Sequence, residues 1–107
     1  MGKKLVLVGP GIRYLLRKKQ TLVGRSEKAH VHIQGKGISR VHCYIYRSEN
    51  DNYTVMDAKS RNGTYVNGVN IRGKACGLNP GDRLGIGPYT FQLEEYQKQG
   101  GLADKLN

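Results

Sequence analysis

Short runs of alternating apolar and polar residues, broken by turn residues, make up almost the whole chain. A period of two puts one side chain in the core and the next in water, which marks a half-buried strand. The pattern predicts strands over Lys4–Val8, Arg13–Leu16, Gln20–Val23, Val31–Ile33, His42–Arg47, Tyr53–Asp57, Thr64–Val66, Val69–Ile71, Arg83–Ile86 and Tyr89–Glu95. Gly9-Pro10-Gly11, Glu49-Asn50-Asp51-Asn52 and Asn79-Pro80-Gly81-Asp82 separate some of them. Asn67-Gly68 lies between two strands and reads as a hairpin turn, where both central positions need positive φ. Nothing before Leu93 shows the 3.6-residue period of a helix. So many short strands at close spacing predict an all-β, antiparallel sandwich or barrel.

Within Val41–Arg47 the alternation sends Cys43 and Ile45 to the core. It sends His42, Tyr44 and Tyr46 to a half-exposed face. Composition agrees with sheets wet on one side: 37% of residues are hydrophobic, and glycine is abundant at 15. Seven tyrosines against one phenylalanine and no tryptophan place aromatic surface at sheet faces and rims. The 107 residues fit one small domain with one core. Its expected extent is 1–96, with 97–107 a flexible tail or linker that Gly100-Gly101 sets off.

Charge sharpens this picture. The formal net charge is +10, and residues 1–47 alone hold eleven Lys or Arg against Glu27. Such a surface favours an acidic partner. No apolar run is long enough to span a bilayer, and the N-terminal apolar run is too short for a signal peptide. The expectation is a cytoplasmic domain with no membrane role, a nuclear location being left open. Cys43 and Cys76 form no CxxC pair and read as reduced thiols buried in strands.

Enzyme signatures fail one by one. There is no G-x-x-x-x-G-K-[ST] loop, and Gly9-Pro10-Gly11 does not continue into a dinucleotide fingerprint. There is no G-x-S-x-G elbow and no H-E-x-x-H. His30 and His32 would share one side of a strand, but further metal ligands are not evident. Ser39 and His42 lack an orienting acid nearby in sequence. No metal, no cofactor and no catalysis are expected.

The positive signal is in the loops. Gly24-Arg25-Ser26 follows an apolar strand, Ser39-Arg40 follows a glycine-flanked turn, and Ser60-Arg61-Asn62-Gly63 follows the strand ending at Asp57. A phosphate ester offers about −1.5 to −2 charges and three strong acceptor oxygens. An arginine fork and a serine hydroxyl match those acceptors.

Gly24-Arg25, Ser39-Arg40-Val41-His42, Ser60-Arg61-Asn62-Gly63-Thr64 and Asn67-Gly68, in this order and spacing, resemble a forkhead-associated (FHA) domain. Leu78-Asn79-Pro80-Gly81-Asp82-Arg83-Leu84-Gly85-Ile86-Gly87 resembles that family's late hairpin, and the likeness spans roughly residues 4–95. It implies a β-sandwich of about eleven strands whose loops at one end bind phosphothreonine peptides. By the resemblance, Arg25 and Ser39 hold the phosphate and Arg61 adds to it. Asn62 bonds the peptide backbone, and Arg40 lies at the rim. Gly24, His42, Gly63, Asn67 and Gly68 are architectural, with His42 bracing the loop of Ser39. His30 stands where the family often has an acid, which makes the surface more basic. The implied partner is a threonine-phosphorylated protein or peptide, bound by a domain that is monomeric in isolation. A nucleic-acid partner is disfavoured, because no helix enters a groove and no run of stacking aromatics interleaves the bases. Arg17, Lys18, Lys19, Lys28 and Lys36 are expected to favour acidic residues around the phosphosite.

Overall fold

The alternating segments fold into two sheets in the computed structural model, which describes residues 3–97. Eleven strands form, and no helix occurs among the described residues. They are β1 Leu5–Gly9, β2 Ile12–Leu15, β3 Gln20–Gly24, β4 Val31–His32, β5 Cys43–Arg47, β6 Tyr53–Asp57, β7 Thr64–Val66, β8 Val69–Asn70, β9 Ala75–Leu78, β10 Arg83–Ile86 and β11 Tyr89–Glu95. One sheet has the order β2-β1-β11-β10-β7-β8 and the other β4-β3-β5-β6-β9. All pairings are antiparallel except that of β3 with β4. Of the expected tail, residues 98–107 lie outside the described residues.

The inward positions carry the core. Val23, Ile45 and Val55 of the second sheet meet Leu7, Leu84, Phe91 and Leu93 of the first, all buried. Dispersion and the loss of apolar surface from water hold the sheets face to face. At one end a polar latch joins them: the Tyr53 hydroxyl donates to Leu16 O at 2.6 Å and accepts from Leu5 N at 3.2 Å.

Three expectations change. Ala75–Leu78 is an eleventh strand, whose small residues give little apolar contrast although its burial does alternate. Cys43 is buried, but Cys76 is only partly so. His30 and His32 are not a pair on one strand: β4 begins at Val31, so His30 lies outside it. His30 Nδ1 instead accepts from Leu22 N at 2.9 Å, while His32 Nε2 lies 3.0 Å from Arg25 O.

Register decides what meets at each end. Asp57 pairs with Cys43, Met56 with Ala75, and Val23 with both Cys43 and Val31. Residues 25–30, 33–42, 58–63 and 71–74 therefore gather at one end, the loop end. Asn67-Gly68 lies at the opposite end, because β7 runs away from Thr64.

Candidate functional site

The loop end is built by backbone first. Gly24 closes β3, and a Cβ there would strike the Arg40 carbonyl, so only glycine lets the two strands' loops approach. Arg25 N then donates to Ser39 O and Ser26 N to Arg40 O, both at 3.0 Å. Gly37 (φ +84°) and Ile38 bend the β4–β5 loop across the site, with Ile38 buried against the β10–β11 turn at Gly87.

His42 is fully buried, which corrects its expected place beside Tyr44 and Tyr46. It precedes β5 and turns inward. Its Nδ1 accepts from Ser39 N at 3.1 Å, so Nε2 carries the ring proton and donates to Gly63 O at 2.9 Å. One imidazole thus fixes both the Ser39 loop and the β6–β7 loop. Burial also removes it from the reach of any substrate, so Ser39 and His42 are not a nucleophile and its base.

Three of the candidate contact residues, Ser39, Arg25 and Asn62, have part of their side-chain bonding capacity used and part left over. Ser39 Oγ accepts from Arg61 N at 2.9 Å, which leaves its O–H to donate. Arg25 Nε donates to Ile38 O at 3.1 Å, which steadies the side chain and leaves the two terminal nitrogens as a fork. Asn62 Nδ2 donates to Gly37 O at 3.1 Å, so its carbonyl oxygen is the remaining end. Arg25, Ser39, Arg40 and Arg61 line one open groove of about 1260 Å³ that extends past Lys28 and Lys36. Arg40 is exposed at its border.

Asp57, which sequence reasoning did not single out, holds the third loop. Its Oδ1 accepts from Ser60 Oγ at 2.5 Å and Thr64 Oγ1 at 2.7 Å, and its Oδ2 from Gly73 N at 2.8 Å. Burial raises the pKa of this carboxyl. The bonds from Ser60, Thr64 and Gly73 together outweigh that and hold it below its usual value. The available signal was an acid closing an apolar strand three residues before Ser60. Gly63 (φ +89°) leaves this loop where any Cβ would collide with the Asn70 amide.

The remaining motif residues are elsewhere. Asn67 (φ 52°) and Gly68 (φ 85°) make the expected hairpin turn, and Asn67 ties it to the β9–β10 turn. Its Nδ2 donates to Asp82 Oδ1 at 3.0 Å, and its Oδ1 accepts from Arg83 N at 2.9 Å. Arg17, Lys18 and Lys19 precede β3, a full strand away from Arg25, and are not part of the groove. Burial pushes the Cys43 thiol far up, so it remains protonated.

The sequence profile of the FHA domain matches residues 21–87, more than half of the chain. The chain belongs to the FHA family. It is similar to the glycogen accumulation regulator GarA of Mycobacterium tuberculosis, 34% identical over 92% of this chain and 62% of GarA. It is also similar to the oxoglutarate dehydrogenase inhibitor of Corynebacterium jeikeium, 35% identical over 84% of this chain and 63% of that protein. The chain thus spans a little over three-fifths of these relatives' length. Among solved structures, Mycobacterium tuberculosis EmbR in complex with a low-affinity phosphopeptide superposes with a TM-score of 0.81 at 28% identity. The match covers 92% of this chain and 26% of EmbR. The eleven-stranded sandwich is the FHA fold, and the groove lies among loops that the FHA profile includes.

Proposed function

We propose that the loop end binds a protein segment carrying a phosphorylated threonine, as a docking module for signalling or assembly and without catalysis. One observation carries this reading: the free donors of Arg25 and Ser39 border one groove, with Arg61 held against Ser39. In it, Arg25 and Ser39 hold the phosphate and Arg61 adds a third cationic contact. Asn62 meets the peptide backbone through its carbonyl oxygen, which accepts an N–H. Arg40 works at the rim. Gly24, His42 and Gly63 keep these loops in shape, while Asn67 and Gly68 set the hairpin turn at the opposite end.

Threonine as the phosphorylated residue comes from the family resemblance. The regulatory names of the two relatives and the phosphopeptide bound to EmbR support a binding role over a catalytic one. No metal or cofactor is needed, because the phosphate is gripped and not transferred. Among the described residues no helix is long and apolar enough to cross a membrane. The reading places the domain in the cytoplasm, as a monomer when isolated, joined to whatever continues beyond residue 96.

Isothermal titration with matched phosphorylated and plain threonine peptides tests the proposal. Binding requires the phosphate, and Arg25→Ala lowers affinity roughly 10- to 150-fold, the worth of one charge-assisted hydrogen bond. Equal affinity for the two peptides would overturn it.

A further inference from the structure

The loop end carries more positive charge than one phosphate needs. Each of its four loops brings two bases: Arg25 and Lys28, Lys36 and Arg40, Lys59 and Arg61, then Arg72 and Lys74. The acids there are Glu27, which is exposed, and Asp57, which is buried and occupied. Among the described residues none of these eight bases makes an ion pair. The ion pairs, such as Lys3–Glu95 and Arg47–Asp51, lie on other parts of the molecule.

Two of these bases sit where the backbone is costly. Lys59 has φ 55° and Arg72 has φ 42°, a region that glycine and asparagine enter with far less strain. Asp57 also ties their two segments together, taking Ser60 Oγ on one oxygen and Gly73 N on the other. A Cβ on Gly73 would lie 3.9 Å from Lys59 Cγ, so the segments touch. Arg61, two residues from Lys59, connects them to the phosphate groove. Strained backbone clusters at functional sites, and here two of the strained residues carry like charges that no acid pairs among the described residues.

We propose that the β6–β7 loop and the β8–β9 turn form a second anion-binding shelf. It takes the carboxylate side chains of an acidic run on one flank of the phosphothreonine. The proposal rests on the phosphothreonine reading above. It differs from the sequence expectation, which credited Arg17, Lys18, Lys19, Lys28 and Lys36 and did not single out Lys59, Arg72 or Lys74.

The test titrates three phosphothreonine peptides into the full chain: one with neutral flanks, one with four glutamates before the phosphothreonine, one with four after. Their unphosphorylated forms and a mixed-sequence DNA duplex complete the set. The natural protein prefers one acidic peptide to the neutral one by tenfold or more. The double variant Lys59→Asn/Arg72→Asn loses that preference, binds the neutral phosphopeptide within twofold of the natural protein, and melts a few degrees higher because strain is relieved. Lys74→Gln, at an ordinary backbone position, lowers the same preference without that gain.

No acidic preference on either flank would overturn the shelf. So would a double variant that weakens the neutral phosphopeptide equally. DNA binding tighter than that of any acidic peptide, lost in the double variant and kept in Arg25→Ala, would assign these bases to nucleic acid instead. If the neutral peptide binds equally with and without phosphate, the phosphothreonine reading fails. The shelf is then judged by the unphosphorylated acidic peptides on the same variants.

Discussion

A single carboxylate, Asp57, holds two separate loops in place. Replacing it with alanine strands the hydroxyls of Ser60 and Thr64 and the N–H of Gly73. Unmatched buried donors cost about 1–3 kcal/mol each where water cannot replace the partner. Asp57→Ala is therefore expected to lose about 2–4 kcal/mol, measured by denaturant unfolding. The pH dependence has a definite sign. The carboxyl is held below its usual value in the folded state, so its stabilisation is present above about pH 4 and fades as pH falls through the folded value. The stability gap between the natural protein and Asp57→Asn should then shrink only below about pH 4. A gap that stays constant from pH 7 to pH 3 would contradict the assignment. His42 shows the limit of reading residues from strand periodicity. It stands one position before β5, where alternation no longer governs direction, and the buried polar bonds to Ser39 and Gly63 decide its place.

Elements were legible wherever apolar contrast was strong. Tyr53–Asp57, Thr64–Val66, Arg83–Ile86 and Tyr89–Glu95 form within the residues their alternation predicts. β9 escaped because Ala75, Cys76 and Leu78 do not alternate with polar residues and Gly77 interrupts the run. β4 shrank to two residues because the His30 imidazole, and not another strand residue, bonds the next N–H of β3. The turns separate two uses of glycine. At Gly68 the backbone needs positive φ, yet nothing lies within 4 Å of an added Cβ. At Gly24 the conformation is ordinary, but the added atom strikes the Arg40 backbone. Gly68→Ala should cost about 1 kcal/mol. Gly24→Ala should cost clearly more and also displace Arg25 and Ser39, weakening phosphopeptide binding. Thermal unfolding with peptide titration separates the two, and equal costs would show the close approach to be relaxed.

Over the whole molecule, the fold sorts charge in a way chain order hides. Counted along the sequence, the excess lies in residues 1–47. In space, Lys59, Arg61, Arg72 and Lys74 join the loop end, while Glu49, Asp51, Asp82, Glu94 and Glu95 lie towards the other. The candidate contact residues were legible because they sit in short motifs. The shelf was not, because its members come from separate segments that the pairings of β6 with β9 and of β7 with β8 bring together. A molecule so polarised should be steered loop end first towards an anionic segment. Raising salt from 50 to 500 mM is expected to slow association with the phosphopeptide by tenfold or more and to change dissociation less. Stopped-flow fluorescence would show it, and a salt-insensitive association rate would rule out long-range steering.

β1 and β11 lie side by side, with Leu5 opposite Glu95 and Tyr96 N bonded to Lys4 O at 2.8 Å. Both strand ends therefore leave the sandwich together, on the side away from the groove. A tether fixed at either end points the groove outward, so the domain can be anchored through one terminus and still meet a ligand unobstructed. The same closeness means that a short bridge can join the two ends into a continuous chain. New termini could then open at Pro10-Gly11, beside the loops, and an inserted reporter would sit next to the ligand instead of behind it.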